Sequence, residues 1–165
     1  MVRICDKDFP DTAEYTQHFN EMTQGKFDLS PFQKYSISET VKGNHVLITA
    51  HTGSGKTLPA EFMFKWCTGM GKKVIYASPI KALSNQKLHD MRKKYPDISF
   101  GLLTGDVKDN PDADVLIMTT EILRNTLFNM QVQEQTQKEM PLSFTINIDT
   151  ELGGVVFDEV HYIND

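Results

Sequence analysis

The 165-residue sequence lacks several features that mark whole classes of protein. Its only cysteines, Cys5 and Cys67, show no CxxC spacing, which excludes a cysteine-based zinc site and favours a reduced, intracellular compartment. No apolar run approaches the ~20 residues of a membrane span, and the first six residues contain no apolar signal core. The net charge of −5 also lacks the overall basic signature of many nucleic-acid-binding proteins, although a local groove is not excluded.

The length suits one globular domain with a sizeable core. Residues 1–26 are mostly polar with scattered aromatic residues, and we interpret them as an arm or short helix laid on that domain. Beyond them, apolar β-branched runs alternate with helical patterns. This alternation predicts an α/β fold in which helices cover a mostly parallel sheet.

The most informative stretch is residues 46–58. It begins with an apolar, β-branched run that suits a buried strand, and it continues through a turn containing Gly53 and Gly55. It ends in Lys56 and Thr57 followed by an apolar, helix-forming tail. A strand, a glycine-rich turn, a Lys-Thr pair and a helix in this order indicate a phosphate-binding loop.

The residue types suit triphosphate chemistry. Backbone N–H groups that cradle phosphate oxygens need the backbone freedom of glycine, and the following helix adds its positive N-terminal end. Lys56 is expected to reach the β- and γ-phosphates, and the hydroxyl of Thr57 to hold Mg²⁺. Ala50 stands where the general pattern has its first glycine, which we interpret as a variant of the same loop.

The remaining pattern predicts a regular order of elements. Serine followed by proline favours a helix start at residues 30–31 and again at 78–79. Residues 144, 146 and 148 alternate with polar residues, which favours an exposed strand. We predict helices over residues 31–41, 57–68, 78–95 and 119–128, strands over 46–49, 73–77, 98–103, 114–118 and 155–157, and a loop over 106–113.

Two carboxylates follow the last apolar run. Asp158 and Glu159 come directly after the predicted buried strand, at the carboxyl edge of the sheet where such folds bind ligands. Asp158 is expected to hold Mg²⁺ through its water shell, while Glu159, pointing the other way along the strand, orients and deprotonates the attacking water. Together with Lys56, these residues predict hydrolysis of one bound triphosphate.

These motifs resemble those of the Ski-like (superkiller and exosome-cofactor type) DExH RNA helicases of superfamily two. Residues 158–165 resemble motif II, and 50–57 resemble motif I. The resemblance extends to the segment ahead of motif I, to motif Ia, to an RNA-contacting turn and to motif Ib, at residues 32–34, 78–87, 103–107 and 118–124. The resemblance implies the first RecA-like lobe of a motor that uses ATP and Mg²⁺ to track single-stranded RNA in the 3′ to 5′ direction, in the cytoplasm or nucleus.

The resemblance also implies roles for individual residues. His161 would couple the ATP site to neighbouring motifs. The residues implied to bind nucleotide are Phe27 and Gln33 at the adenine, and His51, Thr52, Gly53, Ser54, Gly55, Lys56 and Thr57 in the loop. The residues implied to line the RNA backbone are Ser78, Pro79, Lys81, Gly105, Thr119, Thr120 and Arg124.

The sequence departs from the family pattern in two places. Residues 129–151 are longer and more polar than the expected link between motifs Ib and II, and we interpret them as a surface insertion within a partial ATP-binding domain of residues 27–165. Motif III and the second lobe, with its arginine fingers, are not in the sequence. Since the family places the motif III strand between the phosphate-loop strand and the Asp-Glu strand, we expect an incomplete sheet, weak nucleotide binding and negligible unwinding from these residues alone.

Three functional interpretations stay open. An RNA helicase lobe, with an RNA-decay complex of the exosome type as a partner, follows from the resemblance. A DNA helicase or translocase lobe uses the same architecture. A non-catalytic fragment would instead bind a partner through the arm or the insertion.

Overall fold

The computed structural model describes residues 4–5, 8–9, 15–136 and 144–164. The chain divides into two compact units, Met1–Met63 and Phe64–Asp165, which we call the N-terminal and C-terminal units. The helices are α1 (Thr16–Thr23), α2 (Pro31–Val41), α3 (Thr57–Gly69), α4 (Lys81–Lys94) and α5 (Thr120–Thr136). The strands are β1 (Lys73–Ser78), β2 (Phe100–Leu103), β3 (Lys108–Asp109), β4 (Val115–Thr119) and β5 (Leu152–Phe157), followed by a 3₁₀ turn at Val160–Asn164.

In the N-terminal unit, α2 has the bounds that its sequence signals predict. Pro31 occupies its first turn, and the backbone N–H of Ser30 donates a 2.9 Å hydrogen bond to Oε1 of Gln33. The helix ends at Val41, two residues before Gly43, whose φ of +75° suits glycine far better than other residues. The helix expected within the first 26 residues is α1; residues 1–3, 6–7 and 10–14 of the predicted arm lie outside the described residues.

The C-terminal unit contains a five-stranded sheet in the order β3-β2-β4-β1-β5. All neighbouring strands are parallel except the short pair of β2 and β3. Helices α4 and α5 pack against the sheet. The predicted α/β architecture with a mostly parallel sheet is therefore confirmed.

Strands β1, β2 and β4 bury side chains on both faces, as central parallel strands do. On one face, Ile75 and Ala77 of β1 join a cluster that includes Met118 and Leu123. The alternate residues of β1 include Tyr76, whose ring meets that of Phe64 edge-on at 5.9 Å between centroids. Since β1 lies between β4 and β5, its backbone is paired on both sides, and its side-chain positions are fixed from both faces.

The strand predicted over residues 46–49 does not form, and this prediction was wrong. Val46 and Leu47 are 42% and 76% exposed, and residues 44–50 have no regular secondary structure. A strand requires a neighbour for its backbone N–H and C=O groups, and the described residues give this segment no ladder partner. In the family that the sequence resembles, the strand that pairs with this segment is the one that carries motif III.

The predicted helix start at residues 78–79 was also wrong. Ser78 is the last residue of β1 and pairs with Thr119 in the parallel ladder, so its backbone is extended. Helix α4 begins at Lys81, with Ile80 at the N-cap position. Because β1 extends by one residue to pair Ser78 with Thr119, Ser78 cannot serve as the N-cap of the helix.

Other boundaries also differ from those predicted; β2 begins two residues later and β5 three residues earlier than expected. The helix predicted over residues 119–128 continues to Thr136, and the loop at 106–113 contains β3. Phe144 and Ile146 form no strand and are 2% exposed, because they pack into the cluster around Ile75.

Residues 137–143 of the predicted insertion lie outside the described residues. No helix in the described ranges is long and apolar enough to cross a membrane.

Candidate nucleotide and nucleic-acid site

The phosphate-loop stretch in the N-terminal unit depends on two glycines. Gly53 and Gly55 both have φ of +84°, in the left-handed region that other residues rarely adopt. A Cβ at Gly55 would lie 2.6 Å from Nε2 of Gln33, whereas one at Gly53 would meet nothing within 4 Å. The backbone conformation requires glycine at both positions, and close packing adds a second requirement at Gly55.

Gln33 connects the start of α2 to this loop. Its Nε2 donates a 3.1 Å hydrogen bond to the carbonyl oxygen of Gly55, while its Oε1 accepts from the N–H of Ser30. The side chain is buried, and each end of the amide keeps one further hydrogen-bonding position. The predicted contact of Gln33 with adenine stays a prediction; in this structure the residue holds the loop. Phe27, the other predicted adenine neighbour, is 50% exposed.

Lys56 turns back onto its own loop. Its ammonium donates hydrogen bonds of 2.7 Å to the carbonyl oxygen of Ala50 and 2.9 Å to that of His51. Two of its three N–H donors are therefore used, and one is left for a ligand. The buried hydroxyl of Ser54 has no hydrogen-bond partner among the described residues, and His51 and Thr52 are exposed. Thr57 begins α3, where the first backbone N–H groups of a helix favour anions.

The acidic pair lies at the end of β5 in the C-terminal unit. The N–H of Asp158 donates to the carbonyl oxygen of Ala77 at 2.9 Å, which continues the strand pairing by one residue. Asp158 Oδ1 accepts from the N–H of Glu159 at 3.0 Å, and Oδ2 accepts from the hydroxyl of Tyr76. The carboxylate therefore has a defined orientation.

Glu159 differs from its predicted geometry. It lies outside β5 and has φ of +51°, so it does not simply face the other way along a strand. Its carboxylate is partly exposed, with Oε2 3.3 Å from Nδ1 of His161. The strand itself is less buried than predicted, with Phe157 56% exposed, because among the described residues β5 pairs with β1 alone. A non-glycine residue in the left-handed region often marks a functional turn.

Several predicted RNA-contacting residues lie together at the carboxyl edge of the sheet. Ser78 and Thr119 are directly opposite each other in the ladder of β1 and β4, and Thr120 begins α5. The hydroxyls of Ser78 and Thr104 are buried and have no hydrogen-bond partner within the described ranges. The edge thus combines helix starts with unused hydroxyl groups, both of which suit phosphate contacts.

Charged side chains lie near the same edge. Lys81, in the first turn of α4, forms an ion pair with Asp106, which follows Gly105. This neighbouring ammonium lowers the pKa of the Asp106 carboxyl below its ordinary value of 3.8. Arg124 is exposed on α5, with its guanidinium 3.2 Å from Oδ1 of Asn125. Pro79 lies between β1 and α4.

A sequence model of the DEAD/DEAH box helicase family matches residues 30–165. The chain belongs to this family. It is 42% identical over 139 residues to the antiviral helicase SKI2 of Saccharomyces cerevisiae, and 42% identical over 139 residues to the ATP-dependent RNA helicase mtr4 of Schizosaccharomyces pombe. Superkiller complex protein 2 of Homo sapiens is 42% identical over 142 residues. The predicted Ski-like family is confirmed.

These alignments cover 84%, 84% and 86% of this chain but only 10%, 11% and 10% of the respective relatives. The chain therefore spans about a tenth of the length of the curated helicases it matches. Among solved structures, the DUF1998 helicase MrfA bound to DNA and AMPPNP matches with a TM-score of 0.61 at 18% identity, over 77% of this chain and 20% of that one. This similarity confirms the RecA-like helicase fold.

The residues of this helicase lobe fit the nucleotide and the metal ion that the family implies. The buried hydroxyl of Ser54, which has no hydrogen-bond partner among the described residues, suits a phosphate. Thr57 and Asp158 offer the oxygen atoms that Mg²⁺ prefers. Within the described ranges no group of three or more His, Cys, Asp or Glu residues is arranged to hold a metal.

Sequence reasoning assigned no individual role to two residues near this edge. Tyr76 lies on β1 and bonds Asp158 across the sheet, and Thr104 adds a buried hydroxyl next to Gly105. Thr104 lies within the predicted RNA-contacting turn at residues 103–107, whereas no local motif marks Tyr76. The contact of Tyr76 depends on the pairing of two strands about 80 residues apart in sequence, and only the register of β1 and β5 reveals it.

Proposed function

We propose that this chain is the ATP-binding and ATP-hydrolysing lobe of a DExH-type RNA helicase that moves along single-stranded RNA in the 3′ to 5′ direction. The observation that carries the proposal is the phosphate loop: two left-handed glycines, a lysine folded onto the loop and a glutamine that holds it. The names of the relatives, an antiviral helicase and an ATP-dependent RNA helicase, agree with this function.

In this proposal, Lys56 exchanges its bonds with the carbonyl oxygens of Ala50 and His51 for the β- and γ-phosphates of ATP. The hydroxyl of Thr57 and the carboxylate of Asp158 would hold Mg²⁺, and this ion would neutralise charge on the phosphates. Glu159 orients the attacking water and accepts its proton.

The test of nucleotide binding compares Lys56→Ala with Lys93→Ala, which removes an exposed lysine of α4. We expect the wild-type chain to bind a fluorescent ATP analogue weakly in the presence of Mg²⁺. Loss of a charged hydrogen-bond donor should weaken this binding about ten- to hundredfold in Lys56→Ala, while Lys93→Ala matches the wild type. Equal binding by both variants would contradict the proposed role of the loop.

The proposed nucleic-acid path follows the carboxyl edge of the sheet in the C-terminal unit. Ser78, Thr119 and Thr120 supply hydroxyls and a helix start, and Lys81 and Arg124 supply charge. Such groups contact a phosphate backbone without reading its sequence, which suits a motor that moves along any strand.

The substrate is tested by ATPase stimulation with RNA and DNA homopolymers. We expect RNA to stimulate ATP hydrolysis more than DNA does. The measurement uses a protein in which this lobe is joined to a second RecA-like lobe, because the second lobe supplies the arginine fingers that hydrolysis needs. Arginine fingers contribute about 10³-fold or more to the rate, so the 165-residue chain alone should not unwind a duplex. Stronger stimulation by DNA would favour a DNA translocase, and no stimulation by either would favour a non-catalytic binding module.

The same proposal includes a partner complex and a cell compartment for the helicase. One relative is named as a superkiller complex protein, which supports assembly of the complete helicase with an RNA-decay complex of the exosome type. Such work takes place in the cytoplasm or the nucleus. Co-purification of exosome subunits with the tagged protein from cells tests this assignment, and their absence from the purified material would contradict it.

A further inference from the structure

The carboxylate of Asp158 is oriented by two donors that belong to the protein. The hydroxyl of Tyr76 donates to Oδ2, and the backbone N–H of Glu159 donates to Oδ1 at 3.0 Å. Each carboxylate oxygen can accept more than one hydrogen bond, so both retain a position for a further partner. The two protein donors therefore fix the side-chain conformation of Asp158 and leave a hydrogen-bonding position on each carboxylate oxygen.

Tyr76 is itself held in place. It is 2% exposed and lies opposite Val156 in the ladder of β1 and β5, on the strand pair that ends at Asp158. The ring of Phe64 meets its ring edge-on at 5.9 Å, and the ammonium of Lys87 lies 5.6 Å from its centroid. Because packing and the strand register fix the ring, its hydroxyl is a rigid donor rather than a mobile one.

We propose that Tyr76 is a positioning residue that fixes the carboxylate of Asp158 for its part in holding Mg²⁺. This inference rests on the proposed ATPase function and adds a residue from outside the phosphate loop and the Asp-Glu pair. A carboxylate that binds a metal ion through water must present its oxygen atoms in a constant direction. Outer residues that orient a metal-binding group typically change metal affinity by about ten- to hundredfold.

The experiment compares Tyr76→Phe with Tyr95→Phe. Both changes remove only a hydroxyl, and the ring of Tyr95 likewise lies under lysine ammonium groups, those of Lys65 and Lys94. Binding of a fluorescent ATP analogue is measured over a range of Mg²⁺ concentrations. We expect the half-saturating Mg²⁺ concentration to rise about tenfold in Tyr76→Phe and to stay at the wild-type value in Tyr95→Phe. Binding without Mg²⁺ should be the same in all three proteins.

A second measurement separates positioning from a general loss of structure. Asp158→Ala removes the carboxylate, so adding Tyr76→Phe to it should produce no further change in the Mg²⁺ dependence. An equal effect of Tyr76→Phe with and without Asp158 would mean that the residue acts through the fold, and it would overturn the inference. Thermal unfolding of each variant verifies that the folded protein is being compared.

The remaining outcomes distinguish this inference from the function on which it rests. If the wild-type chain binds the analogue in a Mg²⁺-dependent way and Tyr76→Phe does the same at the same concentrations, the positioning role is wrong and the ATPase proposal stands. If the wild-type chain shows no Mg²⁺-dependent binding, both proposals are wrong.

Discussion

Two apolar stretches of this chain have similar sequences and different structures. Residues 46–49 and β1 both consist mainly of aliphatic residues, and each leads into a segment proposed to contact phosphate. β1 lies between β4 and β5, and its residues Val74 to Ser78 are buried. Residues 46–49 have no strand structure, and Leu47 is 76% exposed. The comparison shows that apolar, β-branched composition is not sufficient for a strand, since partners on either side decide whether one forms.

The largest expected difference between the two stretches is in stability. Ile75→Ala should lower the free energy of unfolding by about 2–5 kcal/mol, because it leaves a cavity among fully buried neighbours of β1. Leu47→Ala removes a similar amount of apolar surface from an exposed position and should change stability by no more than about 0.5 kcal/mol. Urea unfolding of both variants measures the two effects. Similar losses would contradict the contrast and would mean that Leu47 is buried in the folded protein.

The glycines of the two regions give a smaller and more specific contrast. A Cβ at Gly153 of β5 would lie 2.8 Å from Cβ of Cys67 and 2.8 Å from Cβ of Lys72, so Gly153→Ala should cost about 1–3 kcal/mol through overpacking. Gly53 has open space around it but φ of +84°, so Gly53→Ala should cost about 1 kcal/mol through backbone strain alone.

The thiol of Cys67 distinguishes these two mechanisms. Burial raises the pKa of this thiol, so it reacts slowly with alkylating reagents while the contact with β5 is intact. We expect faster alkylation of Cys67 in Gly153→Ala and an unchanged rate in Gly53→Ala. Gly53→Ala should instead weaken binding of the ATP analogue. Unchanged alkylation in Gly153→Ala would show that β5 accommodates the extra methyl group without moving from α3.

The same contrast explains what the sequence could predict. Local signals were sufficient for α2, where Pro31, Gln33 and Gly43 act within a few residues of one another, and for the turn that contains Gly53 and Gly55. They were misleading at Ser78, because its pairing with Thr119 outweighed the tendency of a serine-proline pair to start a helix. The bond between Tyr76 and Asp158 had no local signal, since strand register decides it.

The smallest expected effect concerns the exposed ion pair of Lys81 and Asp106 at the proposed nucleic-acid edge. Lys81 holds the pKa of the Asp106 carboxyl below its ordinary value of 3.8, so the attraction is present above that value and is lost as the pH falls through the lowered pKa. No change in this pair is therefore expected between pH 5 and pH 8. Titration of the Asp106 carboxyl by NMR should show its pKa rising towards 3.8 in Lys81→Ala. A pKa that stays low in that variant would assign the shift to another neighbour.

The ion pair also leads to a prediction for nucleic-acid binding. If RNA follows the proposed path, Asp106 should compete with its phosphates for the Lys81 ammonium. Asp106→Asn removes this competition and should raise RNA affinity about two- to threefold at low salt, with the gain disappearing at high salt as the charges are screened. Asp109→Asn is the matched control, because that carboxylate pairs with Arg92 instead, at 2.7 Å. An equal gain in both variants would reflect the net charge of the chain alone. A gain confined to Asp106→Asn would support a phosphate position at Lys81, on the ordered carboxyl edge of the sheet.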